Sequence, residues 1–205
     1  TYASAGTYTI KGKTFLSCRK HYGTGYPPEA SLQESLRKII QIPNNISSGQ
    51  GISNPYCLWG AFRDCYKLEY ADMTNINTGV MYLNQLFYGC INLKTLLFDV
   101  SFTDSKPTLQ QVFRNCYNLK IDLENLPKFP NCNQITWGHM FAGTGRYVTL
   151  EEDEEMVLDF RVMFPYENSE NPKKVSDGFG FVCSECGATK IILPNNTLWK
   201  GGGLG

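Results

Sequence analysis

LWGAFRDCYKL at residues 58–68, LNQLFYGCINL at 83–93 and LQQVFRNCYNL at 109–119 are one phrase written three times. The shared frame is Leu-x-x-x-apolar-x-x-Cys-x-x-Leu, with a step of 25 or 26 residues. Self-similarity at a short fixed period predicts a stack of units, each burying its apolar face on its neighbours. Function is then a question about a surface before it is one about a catalytic centre.

Within each phrase the apolar residues fall at i, i+4 and i+7: Leu58, Phe62 and Cys65; Leu83, Phe87 and Cys90; Leu109, Phe113 and Cys116. That spacing predicts one stripe of a short helix. Asp64, Gly89, Asn92, Asn115 and Asn118 suit a helix exit. The period then shortens. Leu93, Leu96 and Phe98, and Leu119, Ile121 and Leu123, read as short strands with alternate residues inward. The frame extends upstream to Leu32, Leu36 and Ile39. Downstream it continues at Trp137 and Phe141, with Thr144 in the Cys place, and then at Phe179, Cys183 and Cys186. At the second apolar position the steps are 26, 25, 26, 28 and 42 residues, which gives six repeats and an insertion at 149–178.

This frame resembles the BspA-like leucine-rich repeats of bacterial surface proteins, including the variant with a Leu-Phe or Met-Phe pair before Gly-Cys-x-x-Leu. The resemblance implies an α/β fold: a leucine-rich-repeat solenoid of short helices and short parallel strands. It also implies extracellular display and binding to proteins or surfaces. The run from Tyr2 through Gly6 and Tyr8 to Ile10 resembles the closing hairpin of PKD-type β-sandwich domains. A simple strand capping the stack fits it equally. The expected organisation is a sandwich remnant or cap at 1–20, the solenoid at 21–197, and the start of a further repeat or a linker at 198–205. The ends, Thr1 and GGGLG, suit a part of a larger chain or assembly.

Composition narrows the function. Nineteen basic and nineteen acidic residues give a formal net charge of zero, which argues against a nucleic-acid partner. No apolar run approaches the roughly 18 residues of a membrane span, so no membrane insertion is expected. His21 and His139, the two histidines, have no recognisable catalytic partners. Of eight cysteines, Cys65, Cys90, Cys116 and Cys186 share one frame position and are expected to be buried thiols. Cys18, Cys57 and Cys132 lie outside the frame. Cys183 and Cys186 have zinc or redox spacing, and Glu151–Glu155 could supply carboxylates to calcium. A metal-binding or enzymatic protein using these two features is the alternative reading. The favoured one makes Cys183 a replacement for the frame's Phe, and the acidic run a solvated hairpin tip between 147–150 and 156–164.

The favoured function is a non-enzymatic module for display, adhesion or structural attachment. Its setting is a bacterial cell surface or a virion, where it acts as a tail or capsid appendage, and it needs no cofactor and no metal. Strand alternation turns Gln41, Asp72, Leu97, Asp122 and Ile192 outward in one row, with Tyr70, Thr95 and Lys120 in the next. These eight residues are the expected contact face for a protein or cell-surface component. The insertion is its competitor.

Overall fold

A computed structural model of the chain describes residues 36–39, 58–76, 78–80, 82–104, 106–165, 174–175 (backbone alone) and 181–193. The three phrases do lie one on another, and the stitching is made by the main chain. Leu58, Gly60, Phe62 and Asp64 donate their N–H groups to the carbonyls of Tyr82, Asn84, Leu86 and Tyr88, at 2.6–3.0 Å. Leu83, Gln85, Phe87 and Gly89 do the same to Thr108, Gln110, Val112 and Arg114. Leu109, Gln111, Phe113 and Asn115 continue it to Thr136, Gly138, Met140 and Ala142, and Phe141 and Gly143 reach Val182 and Ser184. The intervening N–H groups close tight turns within a phrase, as Ala61 to Leu58, Arg63 to Gly60 and Cys65 to Phe62.

This pattern overturns the expected helices. An α-helix would return each N–H to the residue four back, whereas here alternate N–H groups leave the phrase altogether. The cause is a pair of left-handed residues four apart in every phrase: Gly60 and Asp64, Gln85 and Gly89, Gln111 and Asn115, His139 and Gly143, Phe181 and Glu185, all with φ between +55° and +73°. A left-handed residue ends a right-handed helix, so two per phrase leave only turns. Asp64, Gly89 and Asn115, taken as exits, instead interrupt the phrase from within. The α/β fold of short helices and strands, the leucine-rich-repeat solenoid, is therefore corrected. Among the described residues the helical segments are the four-residue α1 (Phe160–Met163) and a 3₁₀ turn at Leu123–Asn125, neither inside the three phrases.

Among the described residues, strands are few and short. They are β1 (Lys38–Ile39), β2 (Tyr70–Asp72), β3 (Thr95–Leu97), β4 (Gln134–Ile135), β5 (Val157–Asp159), β6 (Lys174–Val175) and β7 (Lys190–Ile192). They form three small parallel sheets, β1-β2-β3, β4-β6 and β5-β7. In the first, Lys38 lies opposite Tyr70, Tyr70 opposite Thr95, Ala71 opposite Leu96 and Asp72 opposite Leu97. The strand expected over residues 120–123 does not form. Asp122 instead caps the 3₁₀ turn, accepting from Glu124 N–H at 3.1 Å, and Ile121 N–H points at the Met156 sulfur, 3.3 Å away. The hairpin expected around the acidic run is also absent. Glu154 N–H closes a turn onto Glu151 C=O, and β5 then pairs in parallel with β7 rather than back onto 147–150. The cap or sandwich remnant at 1–20, Leu32 of the upstream repeat and the segment 198–205 lie outside the described residues.

The apolar stripe is buried as its spacing predicts, although no helix carries it. Phe62, Phe87, Phe113 and Phe141 stack with centroids 5.5, 6.2 and 5.2 Å apart. Phe102, Phe129 and Phe164 form a second column at 5.1 and 5.4 Å. Trp137 and Phe98 meet these columns edge-on. Each such pair contributes about 0.5–1.5 kcal/mol beyond its buried area.

The cysteine position turns out to be polar. Cys90 and Cys116 donate their thiols to the Phe62 and Phe87 carbonyls at 3.0 and 3.1 Å, and Thr144 donates its hydroxyl to Phe113 at 2.7 Å. Burial pushes the Cys90 and Cys116 thiols up, so both stay protonated as the bond requires. Thr144 thus does the same work as the cysteines. Two outcomes are expected in urea unfolding. Cys90→Ala, which removes the thiol donor from the Phe62 carbonyl, leaves it the Cys65 N–H alone and opens a small void, should cost about 1–3 kcal/mol, while Cys90→Ser should cost clearly less because its hydroxyl finds that acceptor. Gly89→Ala should cost about 1–3 kcal/mol, since φ there is +73° and the added Cβ would collide with the Asp64 carboxylate.

Candidate functional site

The failure of residues 120–122 to join the first sheet has a consequence for the surface. β3 spends alternate peptide groups on the preceding rung: Lys94 and Thr95 N–H reach Glu69 C=O, and Met73 N–H reaches Leu97 C=O. On its other edge no sheet pairing follows among the described residues, and stitching resumes where Phe98 N–H bonds Asn125 C=O at 3.2 Å. A groove of about 540 Å³ opens between β3 and the start of β5. Its floor is apolar, made by Leu96, Ile121, Leu123 and Val157. Its rim carries Lys94 and Lys120 against Asp122, Glu154 and Glu155.

Lys120, Asp122, Glu154 and Glu155 each have a bonded partner. Lys120 bonds Glu154, and Lys190 bonds Glu155 at 3.3 Å. The Lys120 ammonium and the Glu151 N–H hold the Glu154 carboxyl below its ordinary range. With a depressed folded value, this tie supports the groove above the ordinary glutamate range and is lost as pH falls through the lowered value. Asp122 is occupied by its capping bond and by Asn125 Nδ2 at 2.7 Å. The lining holds no His, Cys or Ser. Among the described residues, no group of three or more His, Cys, Asp or Glu side chains is placed to hold a metal ion. No helix there is long and apolar enough to cross a membrane.

Seven of the eight residues expected on the contact face are described, and Thr95 belongs both to the groove and to the sheet face. Thr95, Lys120 and Asp122 line the groove. Tyr70 lies beside Thr95 in register, and Asp72 beside the half-buried Leu97, so these four extend the face along the first sheet. Asp72 is partly committed, because its carboxylate accepts from Thr74 N–H and Oγ1 at 2.9 and 2.7 Å. Ile192 stands apart, opposite Asp159 in the β5-β7 sheet. Gln41 lies outside the described residues. Glu154 and Glu155 were assigned by sequence to a hairpin tip, yet they complete the rim.

A second surface, on the turn side, was not foreseen. The Arg63 and Arg114 guanidiniums lie over the Tyr88 ring, 4.8 and 5.9 Å from its centroid. Arg63, Gln85 and Gln111 run on as a chain of side-chain hydrogen bonds at 2.9 and 2.8 Å. His139 stacks flat on the exposed Phe181 at 5.3 Å, and desolvation, with Arg114 nearby, lowers its pKa. The signal was present in the frame: Gln85, Gln111, His139 and Phe181 share one position, as do Arg63, Tyr88 and Arg114.

Comparison of the chain with protein-family models, with curated proteins and with solved structures gives no match.

Proposed function

We propose that the protein is a non-enzymatic binding module, used for display, adhesion or attachment on a bacterial or virion surface, and that a partner protein seats on the groove beside β3. The observation that carries this reading is the groove's anatomy. An apolar floor ringed by fixed charges of both signs is how protein contacts are built, with a dry centre and a wet rim. The immobilised rim favours it further, because side chains already ordered lose little freedom on binding. Each rim carboxylate is occupied by a structural partner, which supports binding over catalysis. The likeness of the repeated phrase to BspA-like surface proteins supports the extracellular setting.

A photo-crosslinking residue at position 95, in the protein displayed in its native assembly, tests the proposal. It should capture a partner protein, and the same residue at position 181, on the turn side, should not. Capture from 181 alone would move the contact to the Arg–Tyr surface. Capture from neither would remove the attachment reading. Leu97→Lys provides the quantitative arm. Its charge must be desolvated in any contact but faces Asp72 favourably in the free protein, so unfolding should shift by less than about 1 kcal/mol while partner affinity falls about tenfold. Phe98→Asp, at a fully buried position, should by contrast abolish folding.

A further inference from the structure

The stacked columns end in an exchange of residue type. Phe141 N–H bonds Val182 C=O just as Phe113 N–H bonds Met140 C=O and Phe87 N–H bonds Val112 C=O. That register puts Cys183 in the place of Phe62, Phe87, Phe113 and Phe141, and Cys186 in the place of Cys65, Cys90 and Cys116. In the inner rungs this pair of positions holds a ring and a sealed thiol. In the last described rung it holds two thiols.

Their setting differs from that of the other cysteines. Cys65, Cys90, Cys116 and Cys132 are buried, whereas Cys183 and Cys186 are partly open to solvent. Cys186 N–H closes a turn onto Cys183 C=O at 3.2 Å. Such a turn brings the two α-carbons within about 7 Å, close to the span that a disulfide bridges. The turn is clamped on both sides: Gly187 N–H bonds Thr144 C=O at 2.8 Å, Gly187 packs so closely on Gly145 that a Cβ would not fit, and Arg146 pairs with Glu185.

We propose that Cys183 and Cys186 form a reversible thiol–disulfide exchange site that reacts with small organic disulfides of the glutathione class. Cys186 is the attacking sulfur. The Cys183 thiol donates to it and lowers its pKa to about 6, while Cys183 itself is held up as the protonated donor. The Cys186 thiolate attacks one sulfur of the small disulfide, forming a mixed disulfide and releasing one thiolate. Cys183 then gives up its proton and attacks the Cys186 sulfur, closing the Cys183–Cys186 bond and expelling the second thiolate, which takes the proton. Two electrons pass from the protein pair to the small disulfide, and two small thiols leave. The site stands apart from the groove and does not depend on the binding reading.

The test uses oxidised glutathione and the intact protein. After incubation near neutral pH, non-reducing peptide mapping should find Cys183 joined to Cys186, and dithiothreitol should reverse it. Cys183→Ala should instead trap glutathione on Cys186, and Cys186→Ala should leave Cys183 largely unmodified. Iodoacetamide should alkylate Cys186 at a rate that rises with pH through about 6 and then levels. At pH 6 the rate should exceed that of an ordinary cysteine about tenfold, since half the thiol is ionised and lower nucleophilicity takes back only part of the gain. In Cys183→Ala the inflection should move up towards about 8.5. Two unmodified thiols after incubation, glutathione captured on Cys183, or an inflection already near 8.5 in the unaltered protein would each overturn the proposal.

Discussion

Everything in this molecule depends on backbone hydrogen bonds that leave one phrase and enter the next. Leu58, Gly60, Phe62 and Asp64 donate onward, and their counterparts do so in turn. Main-chain groups can face along the stack at this density only if the chain turns back on itself every few residues, which is what the left-handed pairs achieve. The conformational cost of left-handed non-glycine residues, about 1–2 kcal/mol each, is offset by satisfied peptide groups that burial would otherwise leave stranded. The phenylalanine columns follow from this register. Rungs tied peptide to peptide place equivalent side chains about one ring-stacking distance apart.

The stripe at i, i+4 and i+7 was legible because burial depends on which residues face inward, and that survived. The helix drawn from it did not. A run of tight turns with a left-handed residue every fourth position displays the same side chains on the same face, so spacing alone does not separate the two conformations. The discriminating signal lay in Gly60 with Asp64, and in Gly89, Asn115 and Gly143 at matching places, types that tolerate positive φ. Gln85, Gln111 and His139 carried no such signal, because their conformation is imposed by the rungs on either side. Thr144 keeps the cysteine place for a chemical reason. A column defined by volume makes threonine a departure, whereas one defined by a donor to the preceding carbonyl makes it a member.

The face was legible in part. Alternation placed Tyr70 with Thr95 and Asp72 with Leu97, and the sheet register has those pairs. It failed at Lys120–Asp122, where the capping carboxylate of Asp122 draws the chain into a 3₁₀ turn before a ladder can form. The groove exists because of that local preference. Its other wall was beyond sequence reach, since Glu154, Glu155 and Val157 arrive through β5 and its parallel pairing with β7, more than thirty residues along the chain.

The same logic of columns separates two uses of cysteine. Inside the stack a thiol donates to a carbonyl of the rung before, and burial keeps it protonated. At position 183 the frame's phenylalanine is replaced by cysteine, and both Cys183 and Cys186 are partly open to solvent. The proposed exchange site therefore depends on the residue at 183, while Cys186 keeps the frame's cysteine position. A position-by-position comparison of rungs exposes that exchange, and a spacing of Cys-x-x-Cys taken alone does not.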